Sequence, residues 1–374
     1  MEFRIGRAEL AGAVGWAARA VPARTPVPVL GGLLLDAREG RLRVSGFDYE
    51  ASARVEVPAA TAVEGGVLVL GRRLLDICKV LPEGEVTCVL DGARFTVEGA
   101  EGTRFGLSTL PREDYPPRPA LPAVRGAVDA AAFAEAVAQV AVAAGRDEAL
   151  PVLTGIQVRL DGAELTLAAS DRYRYAVRTL AWQPGDPGSD AVEVVVPGRR
   201  LAEIARSLAK SGPVRIGCEG GLIGFEAGGR AATLRLLEGR LPRYDKLFAL
   251  DGAAVAVTGR AALADAVRRV AVVAEPNSPV RLDFRGDGSV LLRAGYADDV
   301  ASQALAATLT GADAMAVAFN PAYLLDALTS FTGPDVRFDL QGPGQRVLLG
   351  TGTGDAGTGD TGHRHLLMSV RQLD

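Results

Sequence analysis

The sequence predicts an α+β protein made of three tandem copies of one domain, with helices on one side and antiparallel sheets on the other. The first observation behind this is a helical pattern that recurs about every 125 residues: RAELAGAVGWAARAV (7–21), AAFAEAVAQVAVAAG (131–145) and RAALADAVRRVAVVA (260–274). The second is the order of segments after each helix. A Pro-Val step leads into an apolar strand at 26–35, 150–159 and 278–284, and a second helix comes at 71–81, 198–208 and 320–330. The landmarks Pro28, Pro151 and Pro279 stay in step, as do Leu74, Leu201 and Leu324. A period this long marks a domain repeat and not a solenoid unit.

Each element has its own signal. The first helix of each copy places apolar residues at helical spacing: Leu10, Val14, Ala17 and Val21; Phe133, Val137 and Val140; Leu263, Val267 and Val270. Helices are expected at 7–20, 71–80, 129–146, 198–211, 260–274 and 320–331. Between them lie short β-rich segments of period two, such as RLRVSGF (41–47), AELTLAAS (163–170) and GSVLLRAG (288–295). Turn residues at Glu39-Gly40, Asp161-Gly162 and Asp287-Gly288 separate paired strands. The domains are expected at 1–122, 123–251 and 252–374. The proline-rich stretch 109–126 reads as an extended connector, whereas the second boundary, near 241–252, is less linker-like. The segment GTGTGDAGTGDTG (350–362) reads as a mobile hairpin loop in the third domain.

Composition excludes several classes. With 48% hydrophobic residues each third can bury a core, yet no apolar run reaches the length of a membrane span, and MEFRIGRAEL has no signal-peptide core. Cys78, Cys88 and Cys218 show no metal spacing; Cys78 and Cys218 lie on apolar stretches, so reduced, buried thiols in a cytoplasmic protein are expected. The net charge of −4 argues weakly against nucleic acid. Its distribution argues the other way, because the six helical stretches together carry +6 and everything else −10. Helices gathered on one surface would present an anion with a positive face.

Catalytic signals are weak. There is no phosphate-binding GxxxxGK[ST] loop and no GxSxG elbow. The glycines of GTGTGD lack a lysine-bearing turn and a following helix. His363 and His365 share one face of a strand but no carboxylate or thiol completes a metal site, so a solvated strand is expected there. Asp48 and Asp171 recur at matching repeat positions, as a structural turn would require. No catalytic residue, metal or cofactor is expected.

Eight segments in register with the repeat carry a family resemblance: PVPVLGGLLL (26–35), DICKVLPEG (76–84), RFGLSTLPREDYP (104–116), LPVLTG (150–155), SDRYRYAVR (170–178), LLEGRLPRY (236–244), FNPAYLLDAL (319–328) and LLMSVR (366–371). Together they resemble the bacterial DNA polymerase sliding clamps, the β subunits of the polymerase III holoenzyme. The resemblance implies a head-to-tail homodimer, a ring of six domains with helices lining a hole for duplex DNA. It implies a non-enzymatic processivity factor that tethers the replicative polymerase α subunit, the clamp loader and repair factors through linear peptides. Size agrees: a domain of this length is roughly 35 Å across, so three leave almost no hole, while six leave one on the order of 30 Å.

The resemblance also implies three sets of residues. Arg24, Arg72 and Arg146 match positions that touch DNA backbone, with Arg73, Arg199 and Arg200 beside them; Arg206, Lys210, Arg268 and Arg269 are further cations on or near the helices. Such contacts are phosphate-directed and sequence-blind. A groove for partner peptides matches Leu153, Ser170, Arg172, Tyr173, Arg174, Tyr175, Pro242, Lys246, Leu247, Asn320, Tyr323, Arg346, Met368, Ser369, Val370 and Arg371. The ring interface would set Arg72, Arg73, Ile77, Lys79, Leu81 and Phe105 against Val272, Val273, Asp298 and Asp299 of a second copy, with Arg72 shared between pore and interface.

Two positions depart from the family pattern. Arg172 stands where glycine is expected, and Ser369 replaces a proline, freeing the backbone and adding a donor. Arg172 or Arg346 would narrow or charge the rim. These departures leave open a specialised second clamp, with an altered groove that protects against a clamp-targeting antibiotic. An enzyme built on repeated α+β domains is the alternative from another class.

Overall fold

The computed structural model describes all residues except 23, 276, 277, 297, 353–361 and 372–374, so most of the expected glycine-rich hairpin loop lies outside the described residues. Its helices are α1 (Arg7–Ala17), α2 (Gly71–Val80), α3 (Ala130–Ala141), α4 (Gly198–Leu208), α5 (Asp245–Phe248), α6 (Arg260–Val270) and α7 (Pro321–Ser330). One 3₁₀ turn extends α1 through Ala18–Ala20 and another extends α6 through Ala271–Val273. The apolar stripe predicted for α1 is buried at Leu10, Val14 and Ala17, and that of α6 at Leu263, Val267 and Val270. α3 ends at Ala141, short of the expected 146, because the chain is drawn off the helix where the Gly145 amide donates to the Leu153 carbonyl at 2.7 Å. α5 was not foreseen; at four residues it is too short to show a period.

The hairpins follow their turn residues. Arg38 pairs with Arg41 across Glu39 and Gly40, whose φ values of 49° and 71° belong to the turn type that matches strand twist.

The chain forms two compact units, Met1–Ala130 with 184–186 and Ser207–Leu236, and Ala131–Gln183 with 187–206 and 237–374. The division runs through the second copy because its strands join different sheets. In the first unit, Arg230–Arg235 runs antiparallel to Ala51–Pro58, from Arg230↔Val55 to Leu234↔Ala51, and the buried hydroxyls of Ser52 and Thr233 meet at 2.6 Å. In the second unit, His363–Met368 runs antiparallel to Arg174–Ala181, from His363↔Arg178 to Leu367↔Arg174. In both cases the final strand of one copy completes the sheet edge of the copy before it. An open edge exposes unpaired amides and carbonyls, and this pairing satisfies them.

Among the described residues, the two strands that correspond to these by repeat have no such partner along most of their length. In the first copy, Arg104–Leu110 pairs with Arg94–Glu98, and takes a second neighbour only at Thr109 and Leu110. In the third copy, Asp299–Thr310 pairs with Ser289–Tyr296, and takes a second neighbour only from Ala307 to Thr310.

Burial corrects two expectations. His363 and His365 are enclosed, not solvated, because their strand is covered by the C-terminal end of α7 on the face both imidazoles share. His363 Nε2 lies 2.9 Å from Ser330 Oγ, its Nδ1 lies 3.2 Å from the Val177 carbonyl, and burial pushes its pKa down to about 4. His365 is fully buried, neither ring nitrogen has a hydrogen-bond partner, and burial, then His363 and Arg174, hold it well below the usual histidine range. Cys78 is buried as expected, its thiol pushed up to about 11 by burial, and Cys88 is buried as well, but Cys218, also expected to be buried, is only half-buried. Among the described residues no helix is long and apolar enough to cross a membrane, and no cluster of His, Cys, Asp or Glu could hold a metal.

Candidate functional site

The second unit carries a site built around Arg174. Asp171 ends the strand Glu164–Ser170 and its Oδ1 accepts from the Tyr173 and Arg174 amides at 3.0 and 3.1 Å, an Asx turn that aims the next strand. Asp48 does the same in the first copy, accepting from Glu50 and Ala51, which bears out the structural reading of this pair. The turn forces the residue after the aspartate to positive φ, 70° at Tyr49 and 81° at Arg172. That geometry favours glycine, so Arg172 sits in a left-handed conformation that costs a side-chain-bearing residue roughly 1–2 kcal/mol. Arg172→Gly is therefore expected to hold or raise stability, by at most about 1 kcal/mol, because relieved strain is partly offset by the greater freedom of glycine in the unfolded chain. A urea midpoint for the second unit below that of wild type would contradict this.

Arg174 is 6% exposed. Its Nε donates to Asp171 Oδ2 at 2.9 Å, its Nη1 donates to Asp326 Oδ2 at 2.7 Å, and its guanidinium lies 4.4 Å from the ring centre of Tyr323. Tyr323 in turn stacks on Tyr173, with centroids 6.2 Å apart. Tyr323 and Asp326 come from α7, whose N-terminus is fixed by Asn320: its Oδ1 accepts from the Ala322 and Tyr323 amides, and Pro321 follows at the first helical position. One guanidinium thus ties the second copy to the third.

Beside it opens a cavity of about 320 Å³ lined by Leu150, Leu153, Arg172, Tyr173, Tyr323 and Asp326, with Arg146, Asp147, Asp171 and Arg174 also on its wall. Of the sixteen groove residues expected from sequence, Leu153, Arg172, Tyr173, Arg174 and Tyr323 line it. Arg146, expected among the DNA contacts, also lines this cavity, carried by the loop that Gly145 pins to Leu153. Asp326 was missed, although it lies three residues after Tyr323 and so shares its helix face.

A second, apolar cluster adjoins through Leu153. Tyr175, Leu241, Phe248, Leu348 and Leu366 form it, with Leu247 and Tyr244 packed on its edge. Tyr175 is buried, its hydroxyl donates to the Pro242 carbonyl at 2.8 Å, and its ring meets those of Tyr244 and Phe248 at 6.0 and 5.8 Å. Arg346 is half-buried, and its Nη1 donates to the carbonyls of Lys246 and Leu247 at 3.2 and 3.1 Å. It holds that wall in place, with Lys246 exposed and Leu247 half-buried. The terminal turn leaves the strand at Met368, whose amide donates to the Tyr173 carbonyl at 2.9 Å. Ser369 is buried and uses the donor that proline would lack: its amide and Oγ both reach the Gln345 carbonyl, at 3.1 and 2.7 Å. Met368, Val370 and Arg371 remain exposed, the last lying over Gly344. Ser170 is buried beneath the turn, its Oγ donating to the Arg174 carbonyl at 2.9 Å.

The remaining expected residues are dispersed. Arg24, Arg72, Arg73 and Arg199 are exposed, Arg199 facing Glu203 at 3.4 Å, and Arg200 is half-buried. Arg206, Lys210, Arg268 and Arg269 are exposed too, Arg268 pairing with Asp265 at 2.7 Å. Lys79 is exposed and pairs with Asp76 at 2.8 Å. Ile77 and Leu81, expected at an interface, are spent on the core of the first unit. Val80, between them, is the apolar residue of α2 left open, at 67% exposure. Phe105 and Val273 are half-buried, Asp298 and Asp299 exposed. Val272 and Val300 are 82% and 67% exposed, and Val300, like Val80, went unnoticed in the sequence.

Three family models match in succession: the N-terminal, central and C-terminal domains of the DNA polymerase III beta subunit, over residues 1–121, 127–243 and 246–359. The chain is 46% identical to a beta sliding clamp of Streptomyces coelicolor and 45% identical to the beta sliding clamp homolog GriR of Streptomyces muensis, each over 99% of both chains. Among solved structures, a DnaN sliding clamp of Pseudomonas aeruginosa bound to griselimycin superposes with a TM-score of 0.91 at 25% identity, covering 100% of both chains. The threefold α+β repeat, the antiparallel joining of successive copies and these matches lead to one conclusion: the chain belongs to the DNA polymerase III beta subunit family, the sliding clamps, which are processivity factors and not enzymes.

Proposed function

We propose that two copies of this chain join head to tail into a six-domain ring that encircles duplex DNA. The single observation that carries this is the pair of unsatisfied edges. Two of the three repeat junctions are antiparallel ladders within the chain, and the strands that would make a third are Arg104–Leu110 and Asp299–Thr310, each without a second neighbour along most of its length among the described residues. Within one chain they belong to the first and third copies, so pairing each with a second molecule closes the series by rotation. Apolar groups stand ready on both sides, Val80 and Phe105 at one end, Val272 and Val300 at the other, with Asp298 and Asp299 beside the basic residues Arg72, Arg73 and Lys79 setting register.

The ring works by topology, raising the local concentration of a weakly held polymerase without gripping DNA. Helix-borne cations Arg72, Arg73, Arg199 and Arg200, with Arg24, contact phosphate without reading sequence. The wall of Leu153, Tyr175, Pro242 and Leu247, with the Arg174 cavity beside it, receives linear peptides from the polymerase α subunit, the clamp loader and repair factors. The domains run 1–122, 123–251 and 252–374, and the chain works in the cytoplasm, where its free cysteines stay reduced. A specialised second clamp is the other reading, favoured by Arg172 and Ser369; matched peptide and inhibitor titrations against an ordinary clamp separate the two.

The test is sedimentation together with retention on DNA. Wild type is expected to sediment as a dimer and, once loaded, to stay on nicked circular DNA but leave linear DNA. Val272→Glu, a change at a site already open to water in the single chain, is expected to raise the dimer dissociation constant by at least about 100-fold (about 2.7 kcal/mol) and abolish retention. A monomeric wild type, or a Val272→Glu protein that dimerises normally, would sink the ring.

A further inference from the structure

We propose that the Arg174 cavity selects partner peptides bearing an acidic side chain, and that Arg146 and Arg172 are the residues that read it. This rests on the groove reading above and adds the chemistry of the ligand. Three arginines and three aspartates line the cavity, but their charges are not evenly spent. Arg174 is neutralised by Asp171 and Asp326, and Asp147 Oδ1 accepts from the Ala149 amide at 2.9 Å. Among the described residues, Arg146 and Arg172 have no carboxylate partner, and both stand exposed on the wall of the same concave space. Both therefore line a pocket in which two of the three acids are already paired with Arg174.

The lining decides what kind of anion fits. Leu150, Leu153 and the stacked Tyr173–Tyr323 pair make the wall apolar and aromatic, and about 320 Å³ accommodates one or two side chains. A duplex backbone would meet neither the concavity nor the aromatic wall. A carboxylate next to apolar anchors satisfies both, with the guanidiniums as charge-assisted donors. Backbone geometry adds a second constraint. Arg172 is held at φ 81° by the Asp171 turn, so its side chain leaves the strand in a direction that a residue in extended backbone would not take.

The experiment uses the full chain and two series of fluorescein-labelled nine-residue peptides. All carry the same two leucines and one phenylalanine as anchors; a single glutamate, or glutamine in the second series, is moved through the flanking positions. At one register the glutamate peptide is expected to bind roughly fivefold tighter than its glutamine twin at low salt, an advantage that shrinks as salt rises. Arg172→Gly, which the backbone favours, and Arg146→Ala are each expected to reduce the ratio toward one, by weakening the glutamate series more than the glutamine series; Arg172→Lys retains part of it. Equal binding of both series at every register overturns acid selectivity alone. Failure of both series to bind overturns the groove reading and this proposal with it. An Arg146→Ala protein that keeps the glutamate preference but loses its hold on circular DNA assigns that arginine to DNA and overturns its role here.

Discussion

Replacing Arg174 with alanine is expected to destabilise the second unit by about 3 kcal/mol, the low end of the cost of breaking a buried ion pair. Asp171, with only 12% of its side chain exposed, would keep its charge with two backbone amides as its remaining partners. Asp326 is 41% exposed and recovers part of its loss by hydration, which holds the cost at the lower end. The tryptophans make the effect local: Trp16 lies in the first unit and Trp182 in the second, both buried. In single-tryptophan backgrounds, Arg174→Ala should lower the urea midpoint reported by Trp182 and leave that of Trp16 in place. Arg174→Lys should fall between, since an ammonium cannot fork to two carboxylates while lying flat on Tyr323. Equal shifts at both tryptophans would show that this guanidinium does not act locally.

Acid is expected to undo the same junction. The only two histidines of the chain are both buried in it, and both have pKa values held down by burial. An unfolded histidine titrates near 6.5, so the unfolded state binds protons first as pH falls. The stability contributed by neutral His363 is whole above about 6.5, declines through the interval below it, and is spent near its folded pKa of about 4. From that separation, the loss is about 3 kcal/mol across the window. His365 is also held well below the usual histidine range and adds to the loss in the same direction, its protonated form opposed by burial and then by His363 and Arg174. Urea midpoints between pH 7 and pH 5, above the main carboxylate range, should fall steadily for wild type and more gently for His365→Phe. Identical slopes in the two proteins would exclude His365 as a contributor.

The sequence was a good guide where a pattern repeats or where local chemistry dictates shape. The apolar stripes of α1 and α6 occupy the cores their spacing predicts, and Asp48 and Asp171 form the same turn because an aspartate can accept the two amides that follow it. Asn320 and Pro321 start α7 as a cap and first-turn proline should. The departure at Arg172 was legible for the same reason: a turn demanding positive φ makes a non-glycine residue conspicuous.

Side-chain fate was less legible. Ile77 and Val80 of α2 and Leu81 just beyond it are apolar neighbours, and their apolar character does not say that Val80 faces water while the others fill the core. Arg346 read as a rim charge, and nothing near it in sequence shows that it also holds two carbonyls a hundred residues away. His363 and His365 looked solvated because the end of α7 that covers them cannot be seen along their own strand.

By itself, then, the sequence determined the threefold repeat, its helices and turns, and the family, since these depend on neighbours along the chain and on periodicity. Tertiary structure alone decided that the final strand of each of the later copies completes the sheet before it, that Arg174 joins two copies through two aspartates and a ring, and that Arg146 belongs to a cavity. Those outcomes turn on which groups distant in sequence are brought within hydrogen-bonding reach, and on which of them water can still solvate.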